Sequence, residues 1–264
     1  MNDKKISFIM CYNNEYFMNE CKLYLDELVI PEGYEVDIVG ITGAKSMTSG
    51  YNEGMRKSDA KYKIYMHQDV FITNKNFLPD LLNIFQADES IGMVGMVGTP
   101  YMVKDGTMWH GIRLGGFYKL QEYMKKDVIH RFFPLEEGYV EVEAIDGLLM
   151  ATQYDVPWRE DLFCKWDFYD VSQSFEFLKA GYKVVVPGQK PEWYIHDCGI
   201  ISLQNYDEER DKFLTHYSEF MEERQEQDWE MYLDVVRARL KMGYHGSAAE
   251  LEALLRLLVD LTNE

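Results

Sequence analysis

Lys61-Tyr62-Lys63-Ile64-Tyr65-Met66-His67-Gln68-Asp69-Val70 is the stretch on which the fold turns. Its first six residues alternate so that Ile64 and Met66 share one face of an extended chain. The apolar run stops at Met66, and the polar triplet His67-Gln68-Asp69 follows. Open α/β sheets bind ligands outside the carboxyl ends of their strands, which is where this triplet falls. His67 and Asp69 are two apart, so an extended backbone can point both to the same side. A hard divalent cation wants carboxylate oxygen first, and imidazole suits Mn²⁺ better than Mg²⁺. A plain polar turn at a strand end is the competing reading of the triplet.

Outward from this stretch, strand and helix patterns alternate. Ile6 to Met10 reads as a strand, then a helix from about Asn14 to Leu28 carries Phe17, Cys21, Tyr24, Leu25 and Leu28 on one stripe. Pro31-Glu32-Gly33 is a turn, and Glu35 to Ile41 alternates as a strand. Ser49 is expected to cap a short helix through Lys57, and Asn76 one from Phe77 to Gln86, with Pro79 tolerated in its first turn. Ile91 to Val97 reads as a further strand. This order predicts an α/β fold with a mostly parallel, helix-covered sheet.

Residues 100–140 break the rhythm, with Gly106, Gly111, Gly115 and Gly116 interleaved among Trp109, His110, Arg113, Phe117 and Tyr118. A loop this long in a compact domain is more often functional than idle. Val140 to Thr152 is expected as one buried strand carrying Asp146-Gly147, followed by a helix from Val171 to Lys179 ending at Gly181. Lys183 to Val186 is the last predicted strand, closed by Pro187-Gly188.

From Gln204 the composition becomes helical and acidic. Three stripes follow: Phe213, Tyr217 and Phe220; Trp229, Tyr232, Leu233, Val236 and Leu240; and Leu251, Leu254, Leu255 and Leu258. Residues 1–203 therefore read as the main domain and 204–264 as a helical appendage, covering the sheet or joining two copies of the chain.

The 264 residues, 47% of them hydrophobic, suit one large domain with an addition. A net charge of −18 opposes a nucleic-acid partner, which needs clustered Lys and Arg. It also means that an anionic substrate needs local help from a metal or helix N-termini. No apolar run approaches the roughly 18 residues of a membrane span, and the start shows no export signal. Cys11, Cys21, Cys164 and Cys198 form no C-x-x-C pair, which fits reduced thiols. The expected location is the cytoplasm, with peripheral membrane contact only through an acceptor or partner.

Three polar sites punctuate the scaffold: His67-x-Asp69, Trp166-Asp167-Phe168-Tyr169-Asp170, and Trp193-Tyr194-Ile195-His196-Asp197-Cys198-Gly199. In this order they resemble the family-2-like glycosyltransferases of the GT-A fold, over about Ile6 to Gly199. Cys11-Tyr12-Asn13-Asn14-Glu15 is similar to the family's nucleotide-facing segment. Tyr51-Asn52-Glu53-Gly54 resembles its Asn-x-Gly step, and Glu143-Ala144-Ile145-Asp146-Gly147 its acceptor-side strand. The run from Phe168-Tyr169-Asp170 to Gly181-Tyr182-Lys183-Val184 is the most specific part, because it fixes an acid, a helix length and a terminating Gly together. Two positions depart from the pattern: His67 stands for the first Asp of the usual Asp-x-Asp, and Tyr169 for the Glu before the usual catalytic Asp. The second leaves Asp170 without an adjacent carboxylate to raise its pKa.

The resemblance implies transfer of a sugar from a nucleoside diphosphate sugar to a hydroxyl acceptor, inverting and assisted by Mn²⁺ or Mg²⁺. Asp69, His67 and His196 are the implied metal ligands, a hydrogen-bonded structural histidine being the alternative for His196. Asp170 is the implied general base, worth roughly 10²–10⁴ in rate, or else a helix N-cap. Tyr12, Asn13, Glu15, Asn52 and Gln68 are implied to line the nucleotide pocket. Asp146, Gly147, Trp109 and Trp166 face the acceptor, both tryptophans having core packing as the alternative. The acceptor is a saccharide, a lipid-linked saccharide or a protein, in glycan or surface polysaccharide synthesis. Two other classes share parts of the pattern: a non-catalytic glycan- or nucleotide-binding module, and a sugar-phosphate nucleotidyltransferase. The latter would need a Gly- and Lys/Arg-rich triphosphate loop that 11–15 does not resemble.

Overall fold

The computed structural model describes residues 1–121, 126–131, 138–197 and 203–241, with side chains for 1–116, 138–197 and 203–223. Its elements run β1 (Asn2–Cys11), α1 (Glu15–Leu25), β2 (Glu35–Ile41), α2 (Met47–Lys57), β3 (Ala60–Met66), β4 (Val70–Ile72), α3 (Phe77–Ala87) and β5 (Ile91–Gly95). After β6 (Val97–Thr99) and a 3₁₀ turn at Met108–His110 come β7 (Leu114–Gln121), β8 (Lys126–Arg131), β9 (Tyr139–Glu141), β10 (Ala144–Ile145) and β11 (Leu149–Thr152). The chain continues through α4 (Tyr169–Lys179), β12 (Lys183–Pro187), β13 (Tyr194–His196) and α5 (Tyr206–Lys241).

The central sheet has the order β2-β1-β3-β11-β5-β12-β9. Parallel pairing joins β2, β1 and β3, and joins β5 to β12, while β11 and β9 run against their neighbours. The sheet is thus mostly parallel, and its inner strands are buried on both faces. In β1, Ile6, Phe8 and Met10 join one apolar cluster, with residues of α1 and α3. Ile9 and Cys11 join the other, with residues of α2 and α4. Two buried faces explain the near-continuous apolar run of this strand. A second sheet, β10-β6-β7-β13-β4 with β8 on β7, grows from the carboxyl ends of the first. Its β4 begins soon after β3 ends, and β6 begins one residue after β5.

Several expected boundaries shift. Val140 to Thr152 is three short strands, because the chain changes sheets twice: β9 pairs with β12, β10 with β6 in the second sheet, and β11 inserts between β3 and β5. Ile91 to Val97 likewise divides at Met96 between the two sheets. Met96 is buried like its neighbours in both strands, so the apolar run of 91–97 carries no mark of that break. Helix α1 ends at Leu25, although Leu28 is still buried. The cap of α2 is Ser46, with Ser49 returning the bond as its capping-box partner. Asn76 caps α3 by position only; the side chain of Asn74 accepts the Asn76 N–H at 3.0 Å. Gly181, with φ of 84°, follows α4 as expected.

The first half of α5 lies on α4, with Phe213, Tyr217 and Met221 buried against Phe168, Val171 and Phe175. The side chains of the second and third predicted stripes, Trp229 to Leu240 and Leu251 to Leu258, fall outside the described residues, as does Cys198. Cys11, Cys21 and Cys164 are free thiols. Among the described residues no helix is long and apolar enough to cross a membrane.

Candidate functional site

Strand pairing places the first group of side chains. At the end of β3 the His67 N–H donates to Leu148 O at 3.0 Å, and Asp69 O accepts the Asp197 N–H at 2.9 Å. Antiparallel pairing sets His196 of β13 opposite Val70 of β4, which brings its ring beside Asp69. His196 Nε2 lies 3.7 Å and His67 Nδ1 3.9 Å from Asp69 Oδ1. The ligand atoms of His67, Asp69 and His196 lie within 4.8 Å of one another, a group that could hold a divalent cation. Burial pushes the Asp69 carboxyl up to about 6 and holds the His67 imidazole below its ordinary value, so its neutral, metal-binding form is favoured. Two imidazoles with one carboxylate fit Mn²⁺ or another transition ion better than Mg²⁺.

The second group comes from the start of α4. Phe168, the residue before it, holds φ 58° and ψ 4°, a left-handed conformation that costs a non-glycine residue on the order of 1 kcal/mol or more. Its ring lies 4.8 Å from that of Tyr206 and 5.6 Å from that of Phe213, so α5 supports the strained turn. Asp170 is not the N-cap; it sits inside the first turn. Its Oδ1 accepts the Val171 N–H and its Oδ2 the Gly147 N–H, both at 2.8 Å, bridging α4 to the 146–147 segment. Burial nevertheless pushes its carboxyl up to about 7, Asp146 adds to the rise, and the two N–H groups oppose it. The raising carboxylate that the sequence neighbour Tyr169 cannot supply therefore comes from Asp146. Burial raises Asp146 as well, while the Leu148 N–H holds it down.

Two cavities meet at these residues. The first, about 560 Å³, is lined by Cys11, Tyr12, Asn13, Met47, His67, Gln68, Asp69 and Trp166, among others. The second, about 280 Å³, shares His67, Asp69 and Trp166 and adds Trp109, Asp146, Asp167, Asp170, His196, Leu203 and Tyr206. Tyr12, Asn13 and Gln68 thus share one cavity. Most of the Gln68 amide is spent locally, its oxygen on the N–H groups of Asn13 and Asn14, its nitrogen on Asn13 Oδ1.

Asn52 and Glu15 stand apart. Asn52 is buried, donating to Trp158 O and accepting the Trp158 N–H, each at 2.9 Å. Both ends of its amide are engaged, so it ties α2 to the 158 segment and lines neither cavity. Glu15 is exposed in the first turn of α1, also outside both linings. Gly147 is buried under Tyr169, where a Cβ would meet the hydroxyl at 2.1 Å. Trp109 and Trp166 are 40% and 49% exposed, so neither is core. Leu203 and Tyr206 are contributions that the sequence reading missed. Tyr206 packs against Trp109 with ring centres 4.6 Å apart and planes tilted by 35°, and only the turn from loop to helix at 205–206 marks it in the sequence.

A family model described as a glycosyltransferase like family matches residues 7–217, which takes in the first turns of α5. No curated protein sequence matches the chain. Among solved structures, GalNAc-T7 with UDP, GalNAc and Mn²⁺ superposes with a TM-score of 0.55 at 11% identity, over 98% of this chain and 55% of that one. The mannosyltransferase PcManGT from Pyrobaculum calidifontis, in complex with GDP-Man and Mn²⁺, gives 0.50 at 12% identity, over 99% and 81%. TarS 1-349 from S. aureus, in complex with UDP, gives 0.47 at 13%, over 78% of this chain and 63% of that one. The chain spans less than two thirds of TarS 1-349 and of GalNAc-T7. At these identities the likeness to GalNAc-T7 and PcManGT shows a shared GT-A fold and nothing finer.

Proposed function

The chain belongs to the glycosyltransferase-like family, and we propose that it transfers a sugar from a nucleoside diphosphate sugar to a hydroxyl acceptor, with inversion and with a divalent cation held by His67, Asp69 and His196. The observation that carries this reading is the meeting of two cavities at His67 and Asp69, with Asp170 lining only the second.

The first cavity would take the donor. Tyr12 brings an aromatic ring and Asn13 polar groups to its wall, and Gln68 fixes the loop that carries Asn13. Departure of a diphosphate gathers negative charge, and a bound cation supplies Lewis-acid stabilisation there. The second cavity would take the acceptor, a saccharide, a lipid-linked saccharide or a protein, with Trp109 and Trp166 presenting aromatic faces to apolar sugar faces. Asp170 then accepts the hydroxyl proton as the acceptor oxygen bonds to the anomeric carbon and the bond to the diphosphate breaks. A base whose pKa lies near 7 is tuned to do this at neutral pH. The product would enter a glycan or surface polysaccharide, made in the cytoplasm. Residues 204–264 are proposed as a helical appendage that covers the main domain or joins two copies of the chain.

A panel of nucleotide sugars with Mn²⁺ and mixed acceptors tests the reading by the nucleoside diphosphate released. Release that depends on acceptor and stops with chelator supports it. Donor binding without release across the panel would favour a binding module, and pyrophosphate formed from a sugar phosphate and a nucleoside triphosphate would favour a nucleotidyltransferase.

A further inference from the structure

The two positions that depart from the family's pattern, His67 and Tyr169, are bonded to each other. From the first turn of α4 the Tyr169 hydroxyl reaches His67 Nε2, while His67 Nδ1 faces Asp69. Tyr169 is 5% exposed. Its ring lies 5.9 Å from that of Tyr51 and 6.4 Å from that of Trp158. Against Gly147 its hydroxyl occupies the space that a Cβ would take. The ring is therefore walled on several sides, and its hydroxyl has a fixed address.

A neutral imidazole carries one N–H, so whatever bonds to one nitrogen decides what the other can do. If Nε2 donates to the Tyr169 oxygen, Nδ1 keeps its lone pair and points it at the space shared with Asp69 and His196. If the tyrosine instead donates to Nε2, Nδ1 carries the proton and offers no lone pair to a cation. We propose that Tyr169 is a positioning residue for His67: it accepts the Nε2 proton, fixes the ring's orientation and tautomer, and so sets the affinity of the His67, Asp69 and His196 cluster for a divalent cation. Partners of this kind on a ligating histidine are worth roughly 10–100-fold in metal affinity. Gly147 belongs to the same device, since any side chain there would displace the hydroxyl. The proposal rests on the cation reading given above, and it adds a role for a residue at the wall of the second cavity that is not itself one of the three proposed ligands.

The test uses the full chain and Mn²⁺ alone. Calorimetric titration of wild type and Tyr169→Phe gives the two affinities, and the imidazole nitrogen couplings in the electron-spin-echo spectrum of bound Mn²⁺ report whether His67 ligates. Weakening by about 10–100-fold, with the His67 coupling altered and the melting temperature kept near wild type, is the expected result. Equal affinity with an unchanged nitrogen signature overturns the role of Tyr169 while leaving the cation site intact. A wild type that binds no Mn²⁺ overturns the cation reading and this proposal with it. Should Tyr169→Phe fail to fold, ¹⁵N spectra of the wild-type imidazoles, with His67 assigned by its loss in His67→Gln, decide the matter. A proton on Nε2 is expected, and a proton on Nδ1 contradicts the proposal.

Discussion

The first cavity is drawn mainly from the ends of β1, β2 and β3 and the start of α2, whereas the second gathers side chains from the 108–109, 146, 166–171, 196 and 203–206 segments. One side follows from a parallel sheet, whose neighbouring strands must end together. The other is built by long-range assembly, with a 3₁₀ turn, a strained helix start and the first turn of α5 brought to one place. The difference teaches where function can change cheaply. Strand ends are held by a sheet buried on both faces, while the second cavity is walled by loops and helix starts that can vary without touching that sheet.

Asp69 is shared by both cavities, so its loss should do the most damage. Asp69→Ala is expected to abolish Mn²⁺ binding and lower turnover at least about 10²-fold, since metal stabilisation of the leaving group is worth several kcal/mol. Calorimetry and a diphosphate-release assay check both halves. Turnover that survives in excess chelator would separate the cavities and return the 67–69 triplet to a structural turn. Trp109 lines only the second cavity. Trp109→Ala should raise the acceptor KM by roughly threefold to tenfold, the worth of one aromatic stack, with the donor KM unchanged. A shift in donor KM alone would show that the assignment of the cavities is reversed. Asn52 lines neither. Asn52→Ala strands two backbone groups of Trp158 and should cost about 2 kcal/mol, a fall of roughly 4–8 °C in melting temperature, with kcat per folded molecule unaltered. A selective loss of donor affinity would put Asn52 back at the nucleotide.

The same contrast explains what could be read from the chain. Apart from the short β4, which the sequence does not mark off from β3, the order of strands and helices through Gly95 was legible because each element carries its own period, and the chain's alternation dictates a parallel sheet. His67 and Asp69 were legible together because they are two residues apart at a strand end. His196 lies far along the chain, and the family resemblance, not any local pattern, pointed to it. The tyrosine at 169 read as a missing carboxylate, whereas in the fold it is the partner of His67, and Asp146 takes the role of the charged neighbour. Asn52 and Glu15 lie outside both cavities, a placement the sequence does not show because a motif names a residue without saying which way its side chain points. The break of 140–152 into three strands was hidden because which sheet each piece joins is set by its partner strand, β12, β6 or β3 and β5, far off in the sequence. Tyr206 was hidden for a related reason: a helix start looks the same in sequence whether it faces solvent or a cleft.

Asp170 tests the central claim most directly, that a raised carboxylate in the second cavity takes the acceptor proton. Its folded pKa of about 7 lies above the ordinary carboxylate value of 3.8. Its contribution to stability is therefore complete below pH 3.8 and is lost as pH rises through about 7. Wild-type kcat should climb as pH rises through about 7, where the carboxyl ionises. The decisive measurement is single-turnover sugar transfer by Asp170→Asn beside donor affinity for the same protein. The account predicts transfer lower by about 10²–10⁴-fold with donor affinity within about threefold of wild type. Transfer at the wild-type rate, with the same pH profile, would contradict it.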